Sequence, residues 1–383
     1  MKINSIRNKK NVSGLTVLVR LDLNVPFSGQ KIIDDYKIIS SLPTLQYLRS
    51  KNAKIIIVSH RGEPNISDTV SKWTLKPVAD YISKALKTKV LLSSLNWSDI
   101  EKKAKALQPK QMLLLENIRL FKGEITNDTN FAKKLASLAD IFVNDAFAVS
   151  HRNHASVAGI LQFLPSFAGL LLEKELINLE KARTGKKPLV LVMGGAKISS
   201  KLPLLKNIGK RAETILTGGG IANTILNCEG YEIGTSLAEI INPRTFKELP
   251  MSKIIVPLDV LVLNKGKKMT RKVTELHKND SILDIGPKTM LSYGQIIKDA
   301  KTIIWNGPMG KIEDERFKQG TSTIAKAISE ATKKGACSVV GGGETVAALA
   351  TSKKQFSWVS TGGGACLAYL SGEKLPGLTK IIS

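Results

Sequence analysis

Residues 337–349, CSVVGGGETVAAL, decide how the chain is read: a short apolar strand runs into three glycines, an acidic residue and an alanine-rich helix start. That order suits a phosphate cradle. Glycines let backbone N–H groups approach an anion, a helix N-terminus directs partial positive charge at it, and an adjacent carboxylate can hold a nucleotide's magnesium. The same glycines would also serve merely to pack a helix against a strand. Three further clusters stand at strand ends, Gly194-Gly195, Gly218-Gly219-Gly220 and Gly362-Gly363-Gly364. In one parallel sheet, four such turns would gather along the carboxyl edge, where ligands of open α/β sheets bind. Neither GxxxxGK[ST] nor GxGxxG occurs, so the two commonest nucleotide motifs are excluded.

Outward from that stretch, apolar strand patterns alternate with helix patterns. Residues 189–193, 214–217, 254–256, 302–305, 338–340 and 358–359 read as strands of the second half. In the first half, 16–21, 55–59, 111–115 and 141–144 read as strands, with helices over 37–50, 75–86, 100–107 and 131–138. Alternation of this kind specifies a parallel sheet covered on both faces. The expected fold is therefore α/β, two doubly wound, Rossmann-like domains. The stretch 167–183, FAGLLLEKELINLEKAR, has a helical pattern closed by Gly185 and Pro188 and is placed as the long connecting helix.

Composition bounds the function. The 383 residues are 43% hydrophobic and 23% charged, with no apolar run near the roughly 20 residues of a membrane helix. The opening MKINSIRNKKN has no apolar core behind its basic residues and does not read as a secretory signal. Cys228, Cys337 and Cys366 form no metal spacing and cannot all pair, as expected of a cytoplasmic protein. The net charge of +25 invites a nucleic-acid partner, but its distribution argues against one. Residues 1–170 hold 25 basic against 13 acidic side chains and residues 171–383 hold 32 against 19, so there is no basic arm, and aromatic residues are only 5%.

Polar residues follow the strands of the first half. Strand 17–21 continues as RLDLNVP, and a side-chain period of two turns Arg20, Asp22 and Asn24 the same way if the extended backbone persists. His60, Arg119 and Arg152 each lie beyond a strand and could converge on an anionic small molecule. In GGAKISSK, Lys197 and Lys201 are four apart, on one face if a helix has begun there, which suits phosphate oxygens or a solvated surface.

VLVRLDLNVP, LLLENIRL, VNDAF…HRNHAS, LLEKEL, GGAKISSK, GGGIANTIL, ILDIGPKT, WNGPMG, GGGETVAA and VSTGGGA occur in this order from end to end. In these motifs the sequence resembles the phosphoglycerate kinase family. The resemblance implies reversible phosphoryl transfer between 1,3-bisphosphoglycerate and MgADP, giving 3-phosphoglycerate and MgATP. It implies an N-terminal glycerate-binding domain (1–170), a C-terminal nucleotide-binding domain (171–370) and a tail (371–383) returning to the first. Asp22, Leu23, Asn24, Lys37, His60, Arg61, Gly62, Glu63, Arg119 and Arg152 would bind the glycerate. Lys201, Glu313, Gly342, Gly343, Glu344 and Thr345 would hold nucleotide, with Glu344 serving magnesium directly or through water. Lys37, Lys197, Lys201, Gly342 and Gly363 would act on the moving phosphoryl group. A hinge closure, with the helix transmitting it, and a monomer acting on small molecules, without nucleic acid or membrane, complete what the resemblance implies.

Four positions, in three places, depart from the family pattern. Lys37 stands where an arginine is expected, keeping charge without the planar fork. Arg61 and Glu63 replace a hydrophobic residue and an arginine, and an extended loop would put both on one side, with Glu63 orienting Arg61. Glu344 replaces an aspartate and reaches one methylene further toward a metal that tolerates little geometric error. A kinase of another acidic metabolite on the same scaffold, and a nucleic-acid-binding protein retaining it, are the competing readings.

Overall fold

The computed structural model describes residues 1–65, 68–349 and 355–383. The chain divides into two units, residues 1–176 with 374–383, and residues 177–373. The boundary falls inside the helix Leu170–Arg183.

The first unit is built on a six-stranded parallel sheet. Its strands are β1 (Thr16–Leu21), β4 (Lys54–Val58), β5 (Val90–Leu92), β6 (Met112–Leu114), β7 (Ile141–Asp145) and β8 (Ser166–Ala168); a two-stranded hairpin, β2 (Phe27–Ser28) and β3 (Lys31–Ile32), follows β1. The sheet order is β5-β6-β4-β1-β7-β8. Central strands such as TVLVRL and KIIIV are buried on both faces because helices cover both, and Val17, Val19, Ile55 and Ile57 are fully buried in one core with Ile38, Leu45 and Val78 from the helices. The C-terminal residues close this unit: Ile382 bridges Ile3, and the buried Asn144 amide donates to Gly377 O at 2.9 Å.

The second unit repeats the plan with β9 (Leu189–Met193), β10 (Thr214–Thr217), β11 (Ile254–Ile255), β15 (Thr302–Asn306), β16 (Cys337–Gly341) and β17 (Trp358–Val359), in the parallel order β11-β10-β9-β15-β16-β17. Trp305 and Tyr293 are its largest wholly buried rings. A separate antiparallel sheet, β12 (Asp259–Asn264), β13 (Lys267–Lys272) and β14 (Ser281–Ile285), is an addition that the alternation does not predict. Its hairpin turns at Lys265-Gly266, both with positive φ as a tight two-residue turn requires. Strand β13, KKMTRK, is almost wholly exposed, so no apolar period marks it.

Two sequence expectations are corrected here. Residues 166–168 are the edge strand β8, so the connecting helix begins only at Leu170. At GGAKISSK no α-helix has begun: Ser199–Lys201 is a single 3-10 turn and the α-helix Leu202–Arg211 starts after it, with Pro203 in its first turn.

Candidate active site

At the carboxyl edge of the first sheet, the residues after β1, β4 and β6 and the loop after β7 build a cationic cluster around buried carboxylates. Arg20, the penultimate residue of β1, is wholly enclosed by its neighbours. Its guanidinium is 1% exposed and donates to Ser156 Oγ at 3.0 Å and Leu21 O at 2.5 Å, and its Nη2 lies 3.2 Å from His60 Nδ1. An arginine has no acceptor, so His60 Nδ1 accepts and the ring proton sits on Nε2. Burial, Arg20, Arg119 and Lys37 hold the His60 pKa well below the usual imidazole range. His60 is thus a neutral donor.

Glu124, wholly buried, receives the N–H (2.9 Å) and Oγ (2.6 Å) of Ser156; burial raises its pKa, and Arg20 and the Ser156 hydrogen bonds oppose that shift. His154 Nδ1 is 3.8 Å from Glu124, and burial followed by Arg119 and Arg152 lowers its pKa to about 4. Sequence reasoning missed Glu124, Ser156 and His154, because each follows no strand directly and the arginine they surround, Arg20, is more than a hundred residues away.

Asp22, nearly buried, pairs with Lys37 Nζ at 2.7 Å. Asn24 Oδ1 accepts the Gly62 N–H at 2.9 Å. Leu23 packs its side chain in the core, and its N–H donates to Ser59 Oγ at 3.0 Å, so it supports the turn without presenting a side chain to it. Arg119 donates to Gly62 O at 2.6 Å and faces Glu63 at 3.6 Å, while Arg152, 42% exposed, faces the same carboxylate at 4.0 Å.

The expected pairing of Arg61 with Glu63 is corrected. Gly62 between them has φ +58, which ends the extended alternation, and a Cβ there would lie 1.9 Å from the Trp73 ring. Arg61 turns inward instead. Its guanidinium lies 3.6 Å above the Phe27 ring and donates to Thr74 O (2.8 Å), Gln30 Oε1 and Gly29 O (both 3.3 Å). It ties the β2–β3 hairpin to the loop, and Glu63 alone faces the arginines.

In the second unit, the ends of β9, β15 and β16 enclose a cavity of about 460 Å³ into which Lys197, Lys201, Gly342, Gly343, Glu344 and Thr345 all converge. The two lysines therefore meet through the loop before the helix. Lys201 is partly buried, which lowers its pKa, while Glu344 opposes the shift. Gly342 adopts φ +95 at the turn, and the buried Thr345 Oγ1 accepts the Gly307 N–H at 2.8 Å, tying the β16 turn to the β15 turn. There the backbones nearly touch: a Cβ on Gly194 would lie 2.0 Å from Pro308 O. A neighbouring cavity of about 480 Å³ shares Gly195, Ala196 and Glu344 and adds Gly219, Asn223 and Glu313. Residues 362–364 line neither cavity; Gly363 precedes the helix Gly364–Leu370, whose Cys366 underlies Gly341.

No group of three or more His, Cys, Asp and Glu side chains among the described residues could hold a metal ion. A lone carboxylate, Glu344, beside two lysines fits a cation that arrives on nucleotide phosphates, since magnesium commonly takes one or two protein carboxylates and keeps phosphate and water for the rest. Two doubly wound sheets, a cationic cluster at the carboxyl edge of one and a glycine–lysine cavity at that of the other, define an α/β phosphotransferase.

A family profile described as phosphoglycerate kinase matches residues 7–373. The phosphoglycerate kinase of Wolbachia sp. subsp. Drosophila simulans (strain wRi) is 41% identical over all of this chain and 99% of its own. The solved phosphoglycerate kinase of Coxiella burnetii is 38% identical with a TM-score of 0.87, covering 99% of this chain and 98% of its own; that of Pyrococcus horikoshii OT3 is 30% identical with a TM-score of 0.84, covering 98% of each. The chain belongs to the phosphoglycerate kinase family. It is a kinase of glycolysis whose substrates are a phosphoglycerate and a nucleotide. No helix among the described residues is long and apolar enough to cross a membrane.

Proposed function

We propose that the first unit binds 3-phosphoglycerate or 1,3-bisphosphoglycerate and the second binds MgATP or MgADP, with phosphoryl transfer in line between them. The observation that carries this is the cavity joining Lys197, Lys201, the Gly342-Gly343 turn and Glu344. Phosphoryl transfer needs alignment and positive charge on the equatorial oxygens more than covalent help, and two ammonium groups with glycine N–H groups supply both.

In this reading Arg119 and Arg152 take the glycerate's anionic groups, His60 donates Nε2–H, and Asp22 and Asn24 accept from its hydroxyl. Arg20 and Glu124 hold His60 and Ser156 in place without touching the ligand. Thr345 fixes the phosphate turn, Glu313 receives the ribose, and Gly363 lies at the path of the moving group. Glu344 would hold the nucleotide's magnesium, directly or through water, and that ion supplies neutralising charge to the phosphates. Because the two ligand sites belong to separate units, transfer requires a closing movement, and the helix Leu170–Arg183 is proposed to transmit it. A monomeric, cytoplasmic enzyme is part of the same proposal.

The test is steady-state turnover with 3-phosphoglycerate and MgATP in a coupled assay. Turnover with another acidic metabolite, and none with 3-phosphoglycerate, would replace the substrate assignment.

A further inference from the structure

The two residues before Glu63 are fixed through their backbone. Asn117 accepts the Arg61 N–H at 3.2 Å and donates to Arg61 O at 2.8 Å; Asn24 takes the Gly62 N–H and Arg119 takes Gly62 O. Trp73 fills the space beside Gly62 that any other residue would need. The Glu63 carboxylate is thereby delivered to 3.6 Å from Arg119 and 4.0 Å from Arg152, although it is itself 78% exposed. Arg119 is 5% exposed along its side chain and its Nε is buried without a partner, so this guanidinium is built to receive an anion.

We propose that Glu63 is a built-in counter-anion of the arginine pair, which an incoming anionic ligand must displace, and that it sets both affinity and selectivity at this site. The inference rests on the assignment of the glycerate ligand to the first unit. A ligand with a carboxylate, a hydroxyl and a phosphate can replace the Glu63 contacts while gaining others at Asp22, Asn24 and His60. A small anion such as inorganic phosphate gains little beyond the arginines, and the resident carboxylate discriminates against it. The opposing charge also repels any anion that enters without displacing it.

The test compares Glu63→Gln and Glu63→Asp with the native enzyme, reading KM for 3-phosphoglycerate, kcat, KM for ATP and inhibition by inorganic phosphate. Exposed ion pairs of this kind are worth up to about 1 kcal/mol, so Glu63→Gln should lower the KM for 3-phosphoglycerate about two- to fivefold, with kcat within about twofold. Phosphate inhibition should strengthen by at least the same factor, KM for ATP should stay put, and Glu63→Asp should remain near the native values. A structural role predicts instead that both variants raise KM. An unchanged or raised KM in Glu63→Gln overturns the proposal. Arg152→Ala separates the two levels: if it raises the KM for 3-phosphoglycerate while Glu63→Gln changes nothing, only the counter-anion role fails; if Arg152→Ala also changes nothing, the glycerate assignment fails and the proposal falls with it.

Discussion

Lys37 Nζ lies 2.7 Å from Asp22 Oδ2, a pair in which the carboxylate is nearly buried and the ammonium a third exposed. Lys37 therefore has Asp22 as its counter-charge. It neutralises Asp22, which would otherwise repel an anionic ligand at the end of β1. Lys37→Ala should raise the KM for 3-phosphoglycerate about tenfold, the loss expected when a charged hydrogen bond of about 1.5 kcal/mol disappears and its partner is left beside an anion. Lys37→Arg should restore most of it. A native KM and kcat in Lys37→Ala would show that the pair has no part in binding.

Arg61 is a structural tie. Its guanidinium packs on Phe27 and donates to three partners on the hairpin and the loop, none of them an acidic residue. Arg61→Leu should cost about 1–3 kcal/mol of stability, the range for leaving buried acceptors unpaired. Urea denaturation should show the loss, and saturating kcat should change much less than stability does. Equal stability of the two proteins would refute the role.

Asp284 supplies the pH dependence of the second unit. Its two carboxylate oxygens accept the N–H groups of Ile285 (2.9 Å) and Gly320 (2.7 Å), and burial raises its pKa to about 7. The folded state therefore holds this proton between the unfolded value near 4 and about 7, while the unfolded state releases it. Stability is present at the acid end of that window and is lost as pH rises through 7. Asp145 in the first unit, raised to about 6 by burial, has the same sign. Denaturation at pH 5 and pH 8 should show a smaller difference for Asp284→Asn than for the native protein, and an unchanged difference would deny the raised value.

Among the described residues, Glu344 is the only carboxylate lining the Lys197–Lys201 cavity. Glu344→Asp should alter the ratio of activity with magnesium to activity with manganese and shift the KM for the metal–nucleotide complex, leaving the KM for 3-phosphoglycerate alone. Identical metal ratios in the two proteins would detach Glu344 from the cation.

The sequence carries some of these features more plainly than others. Runs such as KIIIV and LVLVM mark central strands because a parallel strand covered on both faces must be apolar throughout. Strand β13 carries no such mark because it is solvated. At the site, spacing brings Lys197 and Lys201 together for a reason other than helical pitch. Arg61 and Glu63 go astray in the alternation because a single positive φ at Gly62 reverses the side-chain direction. The support of Arg20 by Ser156 and Glu124 joins segments more than a hundred residues apart, a relation that tertiary packing alone creates.

The division of ligands between the units is tested most directly by steady-state kinetics of Arg119→Ala and Lys201→Ala in the assay with 3-phosphoglycerate and MgATP. Arg119→Ala should raise the KM for 3-phosphoglycerate tenfold or more, on the order of 1.5–3 kcal/mol for a charged hydrogen bond, and leave the KM for ATP nearly unchanged; Lys201→Ala should do the reverse and lower kcat as well. If each variant moved both KM values equally, or moved the opposite one, the assignment of glycerate to the first unit and nucleotide to the second would be contradicted.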